Sequence, residues 1–208
     1  MNKNELLNFM RQLKDTMADS RDYLIELDSI VGDGDLGLTM SDGFAAAYEA
    51  VKDQEESDLG RLLFTAGKAM AEKVPSTMGT LMASGFMEAG KELRGNESAP
   101  DTGWITFFHA YETGVCKRGK ARVGEKTFLD AFHPAAEVLE TLLNQGVPLK
   151  EAALKTAEAA EASFHATAGL GAVHGRAAAH REKSEQIEDA GAAVAMLMVK
   201  AFADSMDK

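Results

Sequence analysis

The spacing of apolar residues along the chain is helical almost throughout. Near the amino terminus, Leu6, Met10 and Leu13 recur at intervals of three and four residues, which places them on one side of a helix. The same spacing predicts further helices over residues 23–31, 38–52, 59–73, 79–93, 102–119, 127–144, 148–166 and 190–206. No segment shows the convincing alternation of a half-buried strand. The pattern predicts an all-α bundle of about eight helices in a single domain, residues 1–208, with antiparallel neighbours joined by short loops.

A cluster of aspartates and glycines interrupts this pattern at residues 28–37. Asp28, Asp33 and Asp35 place three carboxylates within eight residues, and glycines flank two of them. Carboxylates this close repel one another, and a hard divalent cation with oxygen ligands relieves the repulsion. Mg²⁺ usually shares its ligand shell with substrate phosphates. The cluster therefore predicts a Mg²⁺–nucleotide site at the end of a helix.

Two other structures are compatible with a short acidic segment. A calcium-binding EF-hand needs a Glu at position twelve, but that position is Phe44 counted from Asp33 and Thr39 counted from Asp28. The spacing therefore excludes an EF-hand. A solvated turn is the other alternative, because Asp and Gly are common turn residues. Glycines before, between and after Asp33 and Asp35 exceed what such a turn requires, so the metal site is favoured.

Composition narrows the choice of ligand and compartment. The chain of 208 residues has a formal net charge of −11, which argues against a nucleic-acid surface and means that a phosphate ligand needs metal ions to bind. Cys116 is the single cysteine, so no intrachain disulfide can form, as is usual in a reducing cytoplasm. The longest apolar run, 192–199, ends at Lys200 and is too short for a membrane span. We therefore expect a cytoplasmic protein without a membrane segment.

Two further segments contain groups that bind phosphate. Residues 76–80 follow Pro75 and open a predicted helix, where hydroxyls and free N–H groups form an anion site, although Ser76 is also a plain N-cap. Arg176 follows Gly175, and a guanidinium there can bind phosphate through two N–H groups.

For other short motifs, a purely structural role is at least as well supported as a functional one. Residues 124–127 are typical of a helix start with a Thr cap, and residues 189–191 are equally a turn and cap before an apolar helix. The histidines are scattered and none has zinc-ligand spacing: His109, His133, His165, His174 and His180. The sequence also lacks a Ser–His–Asp signature.

Taken together and in order, these motifs resemble the ADP-binding L subunit of dihydroxyacetone kinase, the DhaL family. The resemblance extends from about residue 5 to residue 202. The acidic segment matches the family's Asp-x-x-x-Gly-Asp-Gly-Asp-x-Gly signature. Residues 76–81 lie where the family has its phosphate loop, 124–134 resemble its Gly-Asp-Lys-Thr…Asp…Pro motif, and 175–192 resemble its Gly-Arg-Ala…Asp-Pro-Gly-Ala region.

The resemblance implies an antiparallel barrel of eight helices that holds ADP or ATP at one end. Asp28, Asp33 and Asp35 would bind two Mg²⁺ ions that bridge the phosphates, without a general base from this chain. The nucleotide would be held by Ser76, Thr77, Gly79, Thr80, Gly124, Arg176, Asp189 and Gly191. Lys126 and Thr127 would form the wall or lie behind it.

The resemblance also implies partner proteins. The sugar substrate would sit on a K-type subunit, and in one branch of the family an M-type phosphohistidine protein rephosphorylates bound ADP. In the other branch ATP exchanges freely. We also expect either a monomer or a homodimer, which docks through the barrel end with the acidic segment.

The chain departs from the family pattern near the phosphates. Leu36 replaces a common His, and Met78 stands where Ser or Thr is usual. Glu125 replaces Asp and Ala190 replaces Pro. These changes put tight ADP retention and the identity of the sugar in doubt, so a related short-chain ketose is an alternative substrate. A regulatory protein that reports nucleotide state, and a paralogue without kinase activity, remain alternative functions.

Overall fold

Helices form nearly all the regular structure of the protein. The computed structural model describes residues 1–206, and no strand occurs within that range. The helices are α1 (Lys3–Asp19), α2 (Arg21–Ser29), α3 (Leu36–Glu49), α4 (Leu59–Lys73), α5 (Thr77–Glu92), α6 (Gly103–Gly119), α7 (Leu129–Asn144), α8 (Leu149–His165), a 3₁₀ helix (Arg176–His180), α9 (Arg181–Ser184) and α10 (Ala190–Ser205). All are long except α2, α9 and the 3₁₀ helix. The prediction of an all-α bundle of about eight helices is confirmed.

The eight long helices close into a ring. Each packs against the next in the order α1, α3, α4, α5, α6, α7, α8 and α10, and α10 returns to α1. Helices α3, α5, α7 and α10 begin at the end of the ring that carries the acidic segment, and α4, α6 and α8 end there. This alternation is the antiparallel up-and-down order expected for short connections. Four helix amino termini, with the positive ends of their dipoles, therefore meet at one end of the barrel.

Aromatic side chains fill the middle of the ring. Phe9 of α1 contacts the ring of Trp104 edge-on, with centroids 5.5 Å apart, and Trp104 lies 4.9 Å from Phe202 of α10. Leu6 and Leu13, predicted to face the core, are fully buried. Burying a side chain of this size contributes about 1.5–3 kcal/mol each. The core therefore holds the helix ends, and with them the loops, in fixed positions.

The apolar segment near the carboxyl terminus is a core element. Helix α10 packs against α1, α7 and α8, and most of its residues are buried. A helix that is apolar on all sides belongs in an interior, which explains the run 192–199. Across residues 1–206, no helix is both long and apolar enough to span a bilayer.

Candidate functional site

The acidic segment folds around the carboxylate of Asp28. Helix α2 ends at Ser29 and α3 begins at Leu36, as the sequence predicted for a site at a helix end. The amide of Gly34, in the left-handed region at φ 72°, donates to Asp28 Oδ2 over 2.8 Å. A Cβ on Gly32 would lie 2.2 Å from Asp28 Oδ1. Glycine is therefore required at both positions for the loop to approach this carboxylate.

The loop brings the three predicted aspartates together. Carboxylate oxygens of Asp28, Asp33 and Asp35 all lie within 4.8 Å of one another. Asp28 is half-buried and the other two are exposed. Burial raises the pKa of Asp28, and the neighbouring carboxylates add to this, while the Gly34 amide opposes it. A set of hard oxygen donors at this spacing fits Mg²⁺.

The amino terminus of α5 faces the same end of the barrel. Ser76 is its N-cap, as predicted, and Ser76 Oγ accepts a hydrogen bond from the Gly79 amide over 3.0 Å. Thr80 Oγ1 donates to the Ser76 carbonyl over 2.7 Å. A Cβ on Gly79 would lie 2.2 Å from the Val74 carbonyl, so this turn depends on glycine. The first turn of the helix leaves N–H groups, such as that of Thr77, without intrahelical partners.

Arg176 links the segment before α10 to the acidic loop. It begins the 3₁₀ helix after Gly175, whose φ is 67°. Its Nη2 lies 2.7 Å from Asp33 Oδ2, and 70% of the arginine side chain is exposed. The guanidinium therefore stands beside the carboxylate cluster, within reach of any phosphate bound there.

A tight turn precedes α7. Asp130 is buried, and its two carboxylate oxygens accept hydrogen bonds from the amides of Gly124 and Thr127, each over 2.6 Å. Lys126 adopts a left-handed conformation at φ 61° inside this turn. Its Nζ donates to the carbonyl of Thr167. Burial lowers the pKa of Lys126, although nearby carboxylates oppose the effect.

Asp189 caps α10. Its Oδ1 accepts a hydrogen bond from the Ala192 amide over 2.7 Å, which confirms the cap that the sequence indicated. Burial raises the pKa of Asp189 to about 7, against the lowering effects of this hydrogen bond and of the Lys126 charge. Next to it, Gly191 packs against the backbone of Phe128, because a Cβ there would lie 3.1 Å from the Phe128 nitrogen.

These elements enclose one cavity of about 720 Å³. Its polar wall contains most of the predicted site residues: Asp28, Asp33, Asp35, Ser76, Thr77, Arg176, Asp189 and Gly191. Gly79, Thr80 and Gly124 stand behind the wall, where they shape the two turns. Apolar side chains form much of the remainder, among them Leu36, Met78, Leu81, Val115 and Phe128. The volume suits a ligand of nucleotide size.

The sequence did not identify every residue of the wall, and His174 is a polar example. His174 lines the cavity, and its Nε2 lies 2.5 Å from Glu125 Oε2. This contact lowers the pKa of Glu125. The only available signal was the position of His174 two residues before Arg176, because a single histidine without periodic neighbours does not indicate a site.

Residues 30–204 match the DAK2 domain. The chain belongs to the DAK2 domain family. This DAK2 domain covers nearly the full length of some relatives. The ADP-binding subunit DhaL of the PEP-dependent dihydroxyacetone kinase of Escherichia coli (strain K12) is 28% identical over 203 residues, which span 98% of this chain and 97% of that subunit.

Other relatives are longer than this DAK2 domain. The D-erythrulose kinase of Mycolicibacterium smegmatis is 34% identical over 196 residues, which span 92% of this chain but 33% of that enzyme. The crystal structure of the dihydroxyacetone kinase from C. freundii in complex with AMP-PNP and Mg²⁺ matches with a TM-score of 0.72 and 23% identity, covering 99% of this chain and 34% of that one. At this identity the structural match supports the helical fold alone.

Proposed function

We propose that this DAK2 domain is the nucleotide-binding subunit of a kinase for dihydroxyacetone or a related short ketose. It would bind ADP or ATP with two Mg²⁺ ions in the cavity and pass phosphate to a sugar hydroxyl on a separate K-type subunit. The relatives support the substrate class, since their names include dihydroxyacetone and erythrulose kinases.

One observation carries the proposal. Three carboxylates within 4.8 Å of one another share a cavity wall with the capped amino terminus of α5 and with Arg176. Acidic groups alone repel a nucleotide, whereas helix N–H groups and a guanidinium attract its phosphates. A site that combines carboxylates with N–H donors suits a ligand that contains both cations and phosphates. A Mg²⁺–nucleotide is such a ligand.

Each group has a distinct part in the proposed reaction. The carboxylates of Asp28, Asp33 and Asp35 would hold the metal ions, whose charge would neutralise the phosphate oxygens. The amide and hydroxyl of Thr77 would bind phosphate, and Arg176, which lies beside Asp33, would also donate to it. Phosphoryl transfer depends mainly on positioning and charge neutralisation, so no general base from this chain is needed.

We infer that the phosphate donor is an M-type phosphohistidine protein that acts on bound ADP. Relatives of the same length as this chain are named as subunits of PEP-dependent kinases. Rephosphorylation of bound ADP by the M-type protein and exchange with free ATP can be distinguished by experiment. A reconstituted reaction would run on ADP-loaded protein and the M-type donor, and free ATP would not replace that donor.

Asp33→Ala should abolish phosphate transfer to dihydroxyacetone in a mixture with the K-type subunit and a phosphate donor. The substitution removes a metal ligand and the partner of Arg176. We expect the rate to fall by at least about 10³-fold, because charge neutralisation is the main source of catalysis here. Asp53→Ala, which removes an exposed carboxylate on the connector before α4, is the matched control and should transfer normally. Turnover of Asp33→Ala within tenfold of the parent would contradict the metal assignment.

The same mixture separates the alternative functions. Leu36 and Met78 place apolar side chains on the cavity wall. The family pattern has polar residues at these positions, and this difference is the reason to consider a paralogue without kinase activity. Wild-type protein that binds Mg²⁺–ADP but transfers no phosphate to any short ketose would favour the inactive paralogue or the regulatory protein over the kinase. Pull-downs that recover a DNA-binding partner but no K-type subunit would favour the regulatory protein.

A further inference from the structure

A long segment between α8 and α10 forms part of the cavity wall. We call residues 168–186 the strap. It contains the 3₁₀ helix and α9, and its residues 174–177 line the cavity. The strap is folded on itself, because the Gly169 amide donates to the Glu185 carbonyl over 2.9 Å and the Ala172 amide donates to Ser184 Oγ over 3.0 Å. The two arms of the strap therefore lie side by side near its ends.

The two ends of the strap meet at a single buried ammonium. Lys126 Nζ donates to the Thr167 carbonyl over 2.6 Å and to the Ile187 carbonyl over 2.7 Å. These carbonyls stand immediately before and after the strap. A second bond joins the same ends, from the Asp189 amide to Thr167 Oγ1 over 2.8 Å. Only 3% of Lys126 is exposed, and the residue also lines the cavity, which is one of the two positions expected for it.

The body of the protein fixes Lys126 in turn. The residue has a left-handed backbone, and the turn around it is held by the buried carboxylate of Asp130. The preceding residue adds two contacts to the strap, since Glu125 Oε2 bonds His174 and the Glu125 carbonyl accepts from the Val173 amide over 3.3 Å. The turn before α7 therefore anchors the strap to the body of the protein.

The other side of the strap is held weakly. Arg176 contacts Asp33, and Lys183 Nζ donates to the Ile30 carbonyl over 2.7 Å. Both contacts are exposed, and an exposed ion pair or charged hydrogen bond contributes little because water competes with it and screens it. Buried carbonyls that lose their donors are costly by comparison. The location of the strap is therefore determined mainly by the junction of its ends and by its contacts with the turn before α7.

We propose that Lys126 is a positioning residue, which closes the ends of the strap and so holds Arg176 at the phosphate end of the cavity. The functional part of this inference rests on the proposed function, because it concerns how Arg176 meets the nucleotide. The structural part does not: without the ammonium, the strap should open more often while the barrel stays folded.

Limited proteolysis tests the structural part. Trypsin needs an extended segment, so its rate of cleavage after Arg181 and Lys183, which lie in α9, measures how often the strap opens. Lys126→Met removes the donors and keeps the length of the side chain, and cleavage of the strap should become at least tenfold faster. Lys155→Met is the control, since Lys155 lies exposed on α8 and pairs with Glu151. It should be cleaved at the wild-type rate. Wild-type cleavage of Lys126→Met overturns the proposal.

A double-mutant cycle tests the functional part. We expect Lys126→Met and Arg176→Ala each to raise the Kd of Mg²⁺–ADP about tenfold, and the double variant to bind no more weakly than either single variant. A purely structural role for Lys126 would instead give effects that multiply to about 100-fold, which overturns the positioning role. If wild-type protein binds no Mg²⁺–ADP, the proposed function fails, and the proteolysis result still decides the role of Lys126.

A milder substitution is available if Lys126→Met does not fold, as judged by circular dichroism. Lys126→Gln keeps an uncharged NH₂ group, on a shorter side chain, as a donor for the two carbonyls. Its strap should be cleaved about threefold faster than in the wild type, and an unchanged rate contradicts the proposal.

Discussion

At the scale of single residues, the acidic loop shows how far local sequence determines chemistry. Asp28, Asp33 and Asp35 were predicted as a metal-binding group, and the structure brings their carboxylates together. The prediction was possible because all three lie within one loop, whose glycines leave few conformations for the backbone. The contact between Arg176 and Asp33 is different, since residues far apart in sequence meet only after the barrel closes.

Lys126 illustrates what the sequence could not show. We expected it in the wall or behind it, on the basis of family resemblance. Its two acceptors are backbone carbonyls at Thr167 and Ile187, and no sequence pattern identifies which carbonyls will lack partners. Its left-handed backbone was equally hidden, because Lys rarely adopts that conformation.

The pKa of Asp189 leads to a prediction about stability. Burial raises it from an ordinary value of 3.8 to about 7, so the folded protein binds more protons than the unfolded chain in this range. The free energy of unfolding should therefore fall as the pH rises from about 4 to about 7. Asp189→Asn removes the titrating group but keeps the cap, because Asn caps helices as well as Asp does.

As the pH rises from 4 to 8, we expect the free energy of unfolding to fall by about 2 kcal/mol less in Asp189→Asn than in the wild type. The whole shift from 3.8 to about 7 corresponds to about 4 kcal/mol, and we expect about half of it because Asp189 borders the open cavity. Urea denaturation at fixed pH values measures the difference, with Asp53→Asn as an exposed control. Parallel curves for the wild type and Asp189→Asn would show that this carboxyl is not the cause.

At the scale of elements, apolar periodicity was sufficient for the long helices. The predicted helix over residues 59–73 coincides with α4, and the one over 148–166 differs from α8 by one residue at each end. The fold of the strap was not predicted. Its contacts are hydrogen bonds from individual polar groups, such as that of Ser184 Oγ, and these leave no periodic signal.

The start of α5 has two roles that substitution can separate. Ser76 caps the helix through the Gly79 amide, and we propose that the same turn binds phosphate. Ser76→Asp keeps a strong cap but adds a negative charge. Stability in urea should stay within about 0.5 kcal/mol of the wild type, while Mg²⁺–ADP binding weakens at least about tenfold through repulsion of the phosphates.

Ser76→Ala provides the comparison. It should lose about 1 kcal/mol of stability with the cap. Calorimetric titration with Mg²⁺–ADP measures the second role of Ser76. Undiminished affinity in Ser76→Asp would place the phosphates away from α5.

At the scale of the whole molecule, the closed ring explains why residues distant in sequence share one site. Helices α3, α5, α7 and α10 all begin at the same end, so their amino termini and preceding loops meet around one cavity. The fold class and the ring of antiparallel neighbours follow from helix lengths and short loops. The cavity itself could be expected only from family resemblance, because its shape depends on how four separate loops pack.

Net charge sets the central requirement of the proposed function. The chain carries a formal charge of −11, and its cavity contains three clustered carboxylates. Phosphates cannot approach these groups without cations, because unscreened like charges at such distances repel strongly. Nucleotide binding should therefore depend strongly on divalent metal, because the helix N–H groups alone do not offset this repulsion.

The most direct test is calorimetric titration of nucleotide-free protein with ADP, with and without Mg²⁺. We predict one ADP per chain in the presence of Mg²⁺ and at least about a 100-fold higher Kd in EDTA, equivalent to about 2.7 kcal/mol. Equal affinity under both conditions, or no binding with Mg²⁺ present, would contradict the assignment of this cavity as a metal–nucleotide site.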